Sequence, residues 1–188
     1  MTSEQAVRTI IEKCTDLGIP FMIVGSLSSN YHGIERSTKD ADFVVELKTD
    51  QLQTLANELL PTFLLEPQPT FESVTQTTRY IFTVANLEYE IELFVLSEDP
   101  HDQERFRRRI RVDVYGRNAW VATAEDVIVM KLRWYHVNPR SKDWDDVRNV
   151  IAVQQERLDW DYVHHWCDIH GSREHLNAIR KSLESADL

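Results

Sequence analysis

Apolar residues in the first part of the chain follow helical and then strand periodicity. A helix is predicted by five apolar residues spaced i, i+3, i+4, i+7 and i+10: Val7, Ile10, Ile11, Cys14 and Leu17. Gly18 and Pro20 are typical of a helix end. The apolar run 21–24 predicts a buried strand, and Ser26 is placed to cap a short helix over 27–32.

Strand patterns dominate the middle of the chain. The predicted strands span 41–45, 77–84, 87–96, 111–115 and 119–122. Between the first two of them, residues 50–60 predict a helix with Asp50 as its N-cap. Apolar residues occupy one face of the strand over 87–96, and the other face carries Glu88, Glu90 and Glu92.

The pattern becomes helical from Ala124 onward. Four helices are predicted there, over 124–136, 142–154, 160–170 and 173–183. The change near Thr123 predicts an α/β core, residues 1–123, followed by a helical C-terminal region, residues 124–188, which packs on the core. These parts can be two domains or one compact domain, because a chain of 188 residues suits either.

Composition and charge narrow the class of protein. Apolar residues make up 42% and charged residues 28% of the chain, which is an ordinary globular composition. The chain has 31 acidic and 21 basic residues, and its net charge of −10 disfavours binding to DNA or to an anionic membrane. Residues 1–13 carry several charges, so we expect no signal peptide or membrane anchor there and predict a cytoplasmic protein.

One basic cluster interrupts the acidic chain: Arg105, Arg107, Arg108, Arg109 and Arg111. Such a cluster suits a phosphate-rich ligand, either RNA or the triphosphate of a nucleotide. The favoured alternative is pairing with the acidic residues just upstream, which are Glu98, Asp99, Asp102 and Glu104.

Cysteines and histidines give little support for a disulfide or a zinc site. Cys14 and Cys167 are predicted to be reduced thiols, because two cysteines make no disulfide framework. Zinc is an alternative raised by His164, His165, Cys167 and His170. It is disfavoured because structural zinc needs four well-placed ligands, and only His164 and Cys167 are expected to share a helix face.

The candidate chemistry lies in Gly25-Ser26 and in two aspartates, Asp40 and Asp42, which follow after thirteen intervening residues. The aspartates point to the same side of a strand, and their mutual repulsion suits a divalent cation, Mg²⁺ or Mn²⁺. Gly25 lets a phosphate approach the backbone closely, and Ser26 adds a hydroxyl at a helix N-terminus. The two halves together indicate phosphoryl or nucleotidyl transfer.

A third carboxylate is expected in a site of this kind. Glu92 is the candidate, because it projects from an apolar strand that is expected to be central in the sheet. Glu90 lies on the same face and is the alternative.

These motifs resemble those of the polymerase-β-like nucleotidyltransferase superfamily. The matching segments are Val24-Gly25-Ser26, Arg36 to Asp42, Ile91 to Phe94, Thr123 to Asp126, Lys131-Leu132 and Arg140 to Val147. Within the superfamily the chain is most similar to the minimal and AbiEii-type (abortive-infection toxin) members, over most of residues 1–155. The resemblance implies an α/β (α+β) fold, in which a short mixed sheet is flanked by helices and followed by a helical part.

The resemblance also implies a role for each matching residue. Asp40, Asp42 and Glu92 would be catalytic and would hold the metal ions. The residues implied in binding the nucleotide are Gly25, Ser26, Arg36, Thr38, Lys131 and Asp143. Asp143 is expected to hold Lys131, although Asp143 and Asp146 equally suit charges in the first turn of a helix.

One position departs from the family pattern. The family usually has Asp where this chain has Glu92, and the longer side chain moves the carboxylate outward by ~1.5 Å. The departure fits either an active enzyme that tolerates the change or a weakened member.

The predicted function is metal-dependent transfer of an NMP from an NTP to an acceptor hydroxyl, with release of pyrophosphate. The acceptor is not identified and can be tRNA or other RNA, a protein or a small molecule. One alternative is a catalytically degenerate member that binds a nucleotide or a partner. Another is a role as the toxin of a toxin–antitoxin pair, with a cognate antitoxin as partner.

Overall fold

A computed structural model describes residues 1–185 of the chain. They form two compact units. The first contains Met1–Val24 and Thr38–Ala122, and the second contains Gly25–Ser37 and the chain from Thr123 onward. The segment Gly25–Ser37 therefore groups with the C-terminal helices and not with the strands on either side of it in sequence.

The first unit consists of a sheet and three helices. Its helices are α1 (Ser3–Asp16), α3 (Gln51–Leu59) and α4 (Pro100–Arg108). Its strands are β1 (Phe21–Ile23), β2 (Asp40–Val45), β3 (Phe63–Leu65), β4 (Thr70–Glu72), β5 (Thr77–Val84), β6 (Glu90–Val95), β7 (Ile110–Val114) and β8 (Arg117–Val121).

The strands form one mixed sheet in the order β3-β5-β6-β2-β1-β8-β7, with β4 also paired to β5. The pairs β2–β6 and β1–β8 are parallel. The other pairs are antiparallel. The predicted mixed sheet is confirmed, and β6 lies in its interior between β5 and β2, as expected for the strand that carries Glu92.

The two central strands bury one face each. Four of their residues are fully buried: Ala41, Phe43, Ile91 and Leu93. Burying a large apolar side chain contributes roughly 1.5–3 kcal/mol, so these residues hold both strands firmly in the sheet. Because side chains alternate along a strand, the acidic residues between them lie on the opposite face.

Helix α1 begins and ends as its sequence predicts. The Thr2 hydroxyl accepts from the Gln5 backbone N–H, and the Gln5 side chain accepts from the Thr2 backbone N–H, which is a capping box. The helix is followed by Gly18 at φ 62°, a left-handed conformation that glycine adopts without strain. Its apolar face is buried, with Ile10 and Cys14 fully covered.

The second unit is helical. Its elements are α2 (Gly25–His32), α5 (Ala124–Val137), α6 (Ser141–Gln154), a 3₁₀ turn (Gln155–Arg157), α7 (Trp160–Ile169) and α8 (Arg173–Glu184). The four long helices confirm the prediction made from apolar periodicity. Helix α2 packs on α5 and α6.

Three local predictions are corrected. Ser26 does not cap a helix that starts at 27, because α2 begins at Gly25 and includes Ser26 in its first turn. Asp50 precedes α3, but its side chain makes no capping hydrogen bond and its φ is 68°. Glu88 lies outside β6, which begins at Glu90, so the predicted row of three glutamates on one strand is a row of two.

Three elements lie where no helix or strand is predicted. Strands β3 and β4 have three residues each, too few for an alternating pattern to be recognised. Helix α4 is rich in charge and has no long apolar stripe. Its start is marked instead by Asp99, whose side chain accepts from the backbone N–H groups of His101 and Asp102, and by Pro100 in the first turn.

Both cysteines, Cys14 and Cys167, are free and buried, as predicted. Over residues 1–185, no helix has the length and apolar character needed to cross a membrane.

Candidate active site

The first group of candidate residues is the pair of aspartates on β2. Asp40 and Asp42 are half-buried, whereas Ala41 and Phe43 between and after them are buried. Both aspartates therefore project from the face of the sheet opposite the apolar core, as the period of two requires.

The parallel register brings further acids beside these aspartates. Asp40 pairs with Glu90, and Asp42 pairs with Glu92. Residues paired across neighbouring strands have their Cβ atoms about 5 Å apart on the same face. The sheet thus places Glu92, which is separated from Asp42 by fifty positions in sequence, in the same row of carboxylates.

Glu92 is ion-paired with Arg79 of β5. Arg79 Nη1 donates to Glu92 Oε2 over 3.0 Å, and the Glu92 side chain is only 13% exposed. Burial raises the pKa of Glu92, Arg79 acts to lower it, and the negative charges of Asp40 and Glu90 act to raise it further. The net result is a pKa above the ordinary glutamate value.

Asp40 is held by two neighbours in the same unit. The Thr38 hydroxyl donates to Asp40 Oδ1, and the Tyr89 hydroxyl donates to the Asp40 backbone carbonyl over 3.0 Å. Burial and the nearby charges raise the pKa of Tyr89 well above its ordinary value, so this phenol stays protonated and remains a donor. Thr38, a predicted nucleotide-binding residue, thus contacts a predicted metal ligand directly.

The carboxylates have the chemistry of Mg²⁺ ligands, which are hard oxygen donors. However, no group of three acidic, histidine or cysteine side chains within residues 1–185 is arranged to hold a metal ion. The donors of this row are nevertheless of the kind that a divalent cation takes, and in the described geometry the carboxylate of Glu92 has Arg79 as its partner. The zinc alternative finds no support either, since no metal-holding group in this range includes its histidines.

A separate group of candidate residues starts at Gly25, in the helical unit. Gly25 has φ 60°, which is left-handed and favours glycine. Its carbonyl accepts from the hydroxyls of Ser28 and Ser29, over 2.9 and 3.0 Å. Ser26, the next residue, is buried at 4% exposure.

Arg36 is the residue that contacts Ser26. Arg36 Nη2 donates to Ser26 Oγ over 3.0 Å. Its Nε and Nη2 donate to the two carboxylate oxygens of Asp146 over 2.7 and 2.8 Å, a bidentate pair. Asn30 fixes the backbone of Arg36, because its side chain donates to the Arg36 carbonyl and accepts from the Arg36 N–H.

Lys131 completes this buried network. Its Nζ lies 3.1 Å from Asp143 Oδ1 and 2.9 Å from Asp146 Oδ2. The contact with Asp143 agrees with the sequence prediction. Arg140 Nε donates to the other oxygen of Asp143 over 2.7 Å.

The alternative of charges in the first turn of a helix fits Asp143, which lies in the first turn of α6, but both aspartates are also buried in this network. Asp143 is 0% and Asp146 2% exposed. Burial acts to raise the pKa of Asp146, but hydrogen bonds and charge from Arg36 and Lys131 prevail and hold it below the ordinary value. Because the two aspartates are three residues apart on α6, they share one face of that helix, and this spacing is the signal for the network.

The arginine cluster is partly paired with its acidic neighbours. Arg105 Nη2 lies 2.5 Å from Asp102 Oδ1 in a buried pair, and Arg107 pairs with Glu104 over 2.6 Å at the surface. Arg109 packs its guanidinium against the rings of Phe106 and Trp120, 4.0 and 5.1 Å from their centroids. The favoured prediction of local pairing therefore holds for Arg105 and Arg107.

Sequence reasoning missed two contacts of the candidate residues. The ion pair between Arg79 and Glu92 was not predicted, and neither was the bidentate pair between Arg36 and Asp146. Neither pair is local in sequence, and only the pairing of β5 with β6 and the packing of α2 on α6 bring the partners together.

Solved structures of nucleotidyltransferases have this fold. The crystal structure of ANT(2'')-Ia in complex with adenylyl-2''-tobramycin is similar with a TM-score of 0.66 and 12% identity, covering 93% of this chain and 99% of that one. The lincosamide antibiotic adenylyltransferase LnuA, lincomycin-bound, has a TM-score of 0.58 and 11% identity, over 81% of this chain and 98% of that chain. An antigenic nucleotidyltransferase-like protein from Paracoccidioides brasiliensis has a TM-score of 0.58 and 16% identity, covering 95% and 91%.

The chain is a nucleotidyltransferase by its family. Residues 16–185 match the family described as nucleotidyl transferase AbiEii toxin, type IV toxin–antitoxin system, and the chain belongs to this family. No curated protein matches the chain in sequence.

Proposed function

We propose that the protein transfers an NMP from an NTP to an acceptor hydroxyl and releases pyrophosphate, in a reaction that depends on Mg²⁺ or Mn²⁺. The observation that carries the proposal is the register of β2 against β6, which aligns Asp40 with Glu90 and Asp42 with Glu92. Burying such a row of carboxylates on one face of a sheet costs free energy, so we expect a function that offsets this cost. Family membership supports the same chemistry.

The proposal assigns phosphate binding to residues of the helical unit. Gly25 lacks a Cβ and leaves the backbone open to a phosphate, and Ser26 offers its hydroxyl. Arg36 and Lys131 bring positive charge, and Arg140 adds a third cation against the two carboxylates of Asp143 and Asp146. This excess of one positive charge in an otherwise acidic chain favours an anionic ligand.

The proposal assigns the chemical step to the acids of the sheet. The oxygen of the acceptor hydroxyl would attack the α-phosphorus of the NTP, the bond to the β-phosphate would break, and pyrophosphate would leave. The hydroxyl proton would go to the Glu92 carboxylate, which lies beside Asp42 in the acidic row. Asp40 and Asp42 are the proposed metal ligands, Glu92 is the proposed third one, and Thr38 acts by holding Asp40.

The acceptor is proposed to be one of three kinds. ANT(2'')-Ia and LnuA are described with adenylyl-2''-tobramycin and lincomycin, and this favours including small hydroxylated molecules. Family membership favours a toxin role with a cognate antitoxin as partner, and RNA, including tRNA, and proteins are then the other acceptors to test.

The experiment is transfer of label from α-phosphate-labelled NTPs in the presence of Mg²⁺ or Mn²⁺. Bulk tRNA, a protein extract and a panel of hydroxylated small molecules serve as acceptors. Asp42→Asn should abolish transfer, whereas Asp16→Asn, the same change at an exposed position at the end of α1, should not. If the wild type binds no NTP with either cation, the proposal is wrong.

The second candidate is a degenerate member that binds nucleotide without turnover. The observation that favours it is the ion pair of Glu92 with Arg79, which occupies the proposed third acid. NTP binding with no transfer to any acceptor, and no effect of Asp42→Asn on binding, would favour this candidate over the enzyme.

A further inference from the structure

Arg79 is fixed in place by contacts on both sides of its strand. Its Nε donates to the Thr70 hydroxyl of β4 over 2.9 Å, and its Nη1 donates to Glu92 of β6 over 3.0 Å. Its guanidinium lies 5.9 Å from the centre of the Phe94 ring, whose residue is its direct partner in the β5–β6 ladder. These three contacts hold the guanidinium of Arg79 in one position.

The charges around this arginine are negative. Asp42 is the cross-strand partner of Glu92, and the negative charges of Asp40 and Glu90 act on Glu92 as well. The side chains of Arg79 and Glu92 are 32% and 13% exposed, so their attraction is less screened by water than that of a surface pair. The guanidinium of Arg79 therefore neutralises the carboxylate of Glu92, which the other acids of the row would otherwise repel.

A divalent cation that uses Glu92 must compete with this guanidinium. Both are cations, both bind carboxylate oxygens, and in the described geometry the arginine has the contact while no group of three ligands is assembled. Accepting a cation would require the Glu92 carboxylate to turn away from Arg79.

We propose that Arg79 is the resident counter-ion of Glu92 and lowers the affinity of the acidic row for a divalent cation, which binds through Glu92 only by displacing the guanidinium. This rests on the proposed function, because it takes the acids of β2 and β6 as the cation ligands. Arg79 is then a positioning residue, which keeps the row in order while no cation is bound.

The test measures binding of Mn²⁺ alone to the full chain, by electron paramagnetic resonance of the free ion or by calorimetry. Arg79→Gln keeps a polar side chain with an N–H donor but removes the charge, so it should bind Mn²⁺ about tenfold more tightly than the wild type. Arg79→Lys keeps the charge and should bind close to the wild type.

Two controls separate this effect from a general change in charge or structure. Arg117→Gln removes the same charge from another ion pair of this unit, with Glu12, and should leave Mn²⁺ binding unchanged. In the double variant Arg79→Gln/Glu92→Gln, the gain should disappear. Circular dichroism and thermal unfolding verify that each variant is folded.

Binding by Arg79→Gln that equals or falls below that of the wild type overturns the proposal, and so does a gain that persists without the Glu92 carboxylate. Failure of the proposed function looks different. In that case no acceptor would be labelled by any NTP, while the gain in Mn²⁺ affinity in Arg79→Gln would stand.

Discussion

Arg36 and Asp146 are 110 residues apart in sequence and joined by two hydrogen bonds of 2.7 and 2.8 Å. The same arginine donates to Ser26, and the same aspartate contacts Lys131. One carboxylate thus orients both cations that we propose to bind the nucleotide phosphates. Its loss should affect the stability of the helical unit and its ligand binding together.

Replacing Asp146 by Ala should destabilise the protein by about 3 kcal/mol, because it leaves a buried lysine and a half-buried arginine without their shared counter-charge. Urea unfolding followed by circular dichroism measures the change. Asp145→Ala, an exposed aspartate on the same helix, is the matched control and should change stability little. An equal effect of both variants would contradict the role given to Asp146.

The stability of the first unit should fall in acid through Asp102. Burial acts to raise the pKa of Asp102, but Arg105 and the backbone and side-chain hydrogen bonds from Ser97 hold it below the ordinary value. A carboxyl with a lowered folded-state pKa contributes stability above its unfolded pKa, near 4, and loses it as the pH falls through the folded pKa.

The measurement is the free energy of unfolding between neutral pH and the acid limit of folding, for the wild type and Asp102→Asn. The difference between them should be largest at neutral pH and shrink below about pH 4, as the carboxyl becomes protonated first in the unfolded state and, at lower pH, in the folded state. Asp16→Asn serves as the exposed control. A constant difference across the range would show that Asp102 contributes no charge-dependent stability.

Gly33 should not tolerate a side chain. A Cβ there would lie 3.1 Å from the Ser29 carbonyl and equally close to the Val150 backbone nitrogen and side chain. Gly33→Ala should therefore destabilise the packing of α2 on α6 by about 1–3 kcal/mol. Gly33→Ala/Val150→Ala should recover only part of this, since the backbone contacts remain. Full recovery would mean that the Val150 side chain alone is responsible.

Both cysteines should resist modification in the folded protein. Cys14 and Cys167 are 0% exposed, and burial raises their pKa values to about 12 and about 11, so little thiolate forms near neutral pH. A thiol reagent such as dithionitrobenzoate should label neither cysteine in the native state and both after addition of guanidinium chloride. Rapid labelling of the native protein would contradict the described burial.

Much of the architecture follows from local patterns in the sequence. The helices α1 and α5 to α8 carry apolar stripes at helical spacing, and such stripes need a buried partner wherever they lie. Along the strands β2, β5 and β6, successive side chains point to opposite faces of the sheet, and this alternation alone places Asp40 and Asp42 on one face. The acidic candidates were found for this reason.

Local patterns in the sequence did not predict which residues contact the candidate residues. Glu92 meets Asp42 because β2 and β6 are parallel and in register, and it meets Arg79 because β5 is the other neighbour of β6. The two-residue connection Ala85-Asn86 indicates that β5 and β6 are neighbours, but no local signal in β2 or β6 indicates that these two strands pair. The same holds for β3 and β4, which exist by pairing to β5.

The sequence by itself determined the periodic helices and strands, the acidic pair on β2 and the resemblance to nucleotidyltransferases, from which phosphate binding at Gly25-Ser26 is an expectation. Only the tertiary structure decided that the segment 25–37 packs with the C-terminal helices. It also decided that Arg36 forms an ion pair with Asp146, and Arg79 with Glu92. The physical reason is range: periodicity and capping act between residues a few positions apart, whereas the buried ion pairs join residues that only packing brings together.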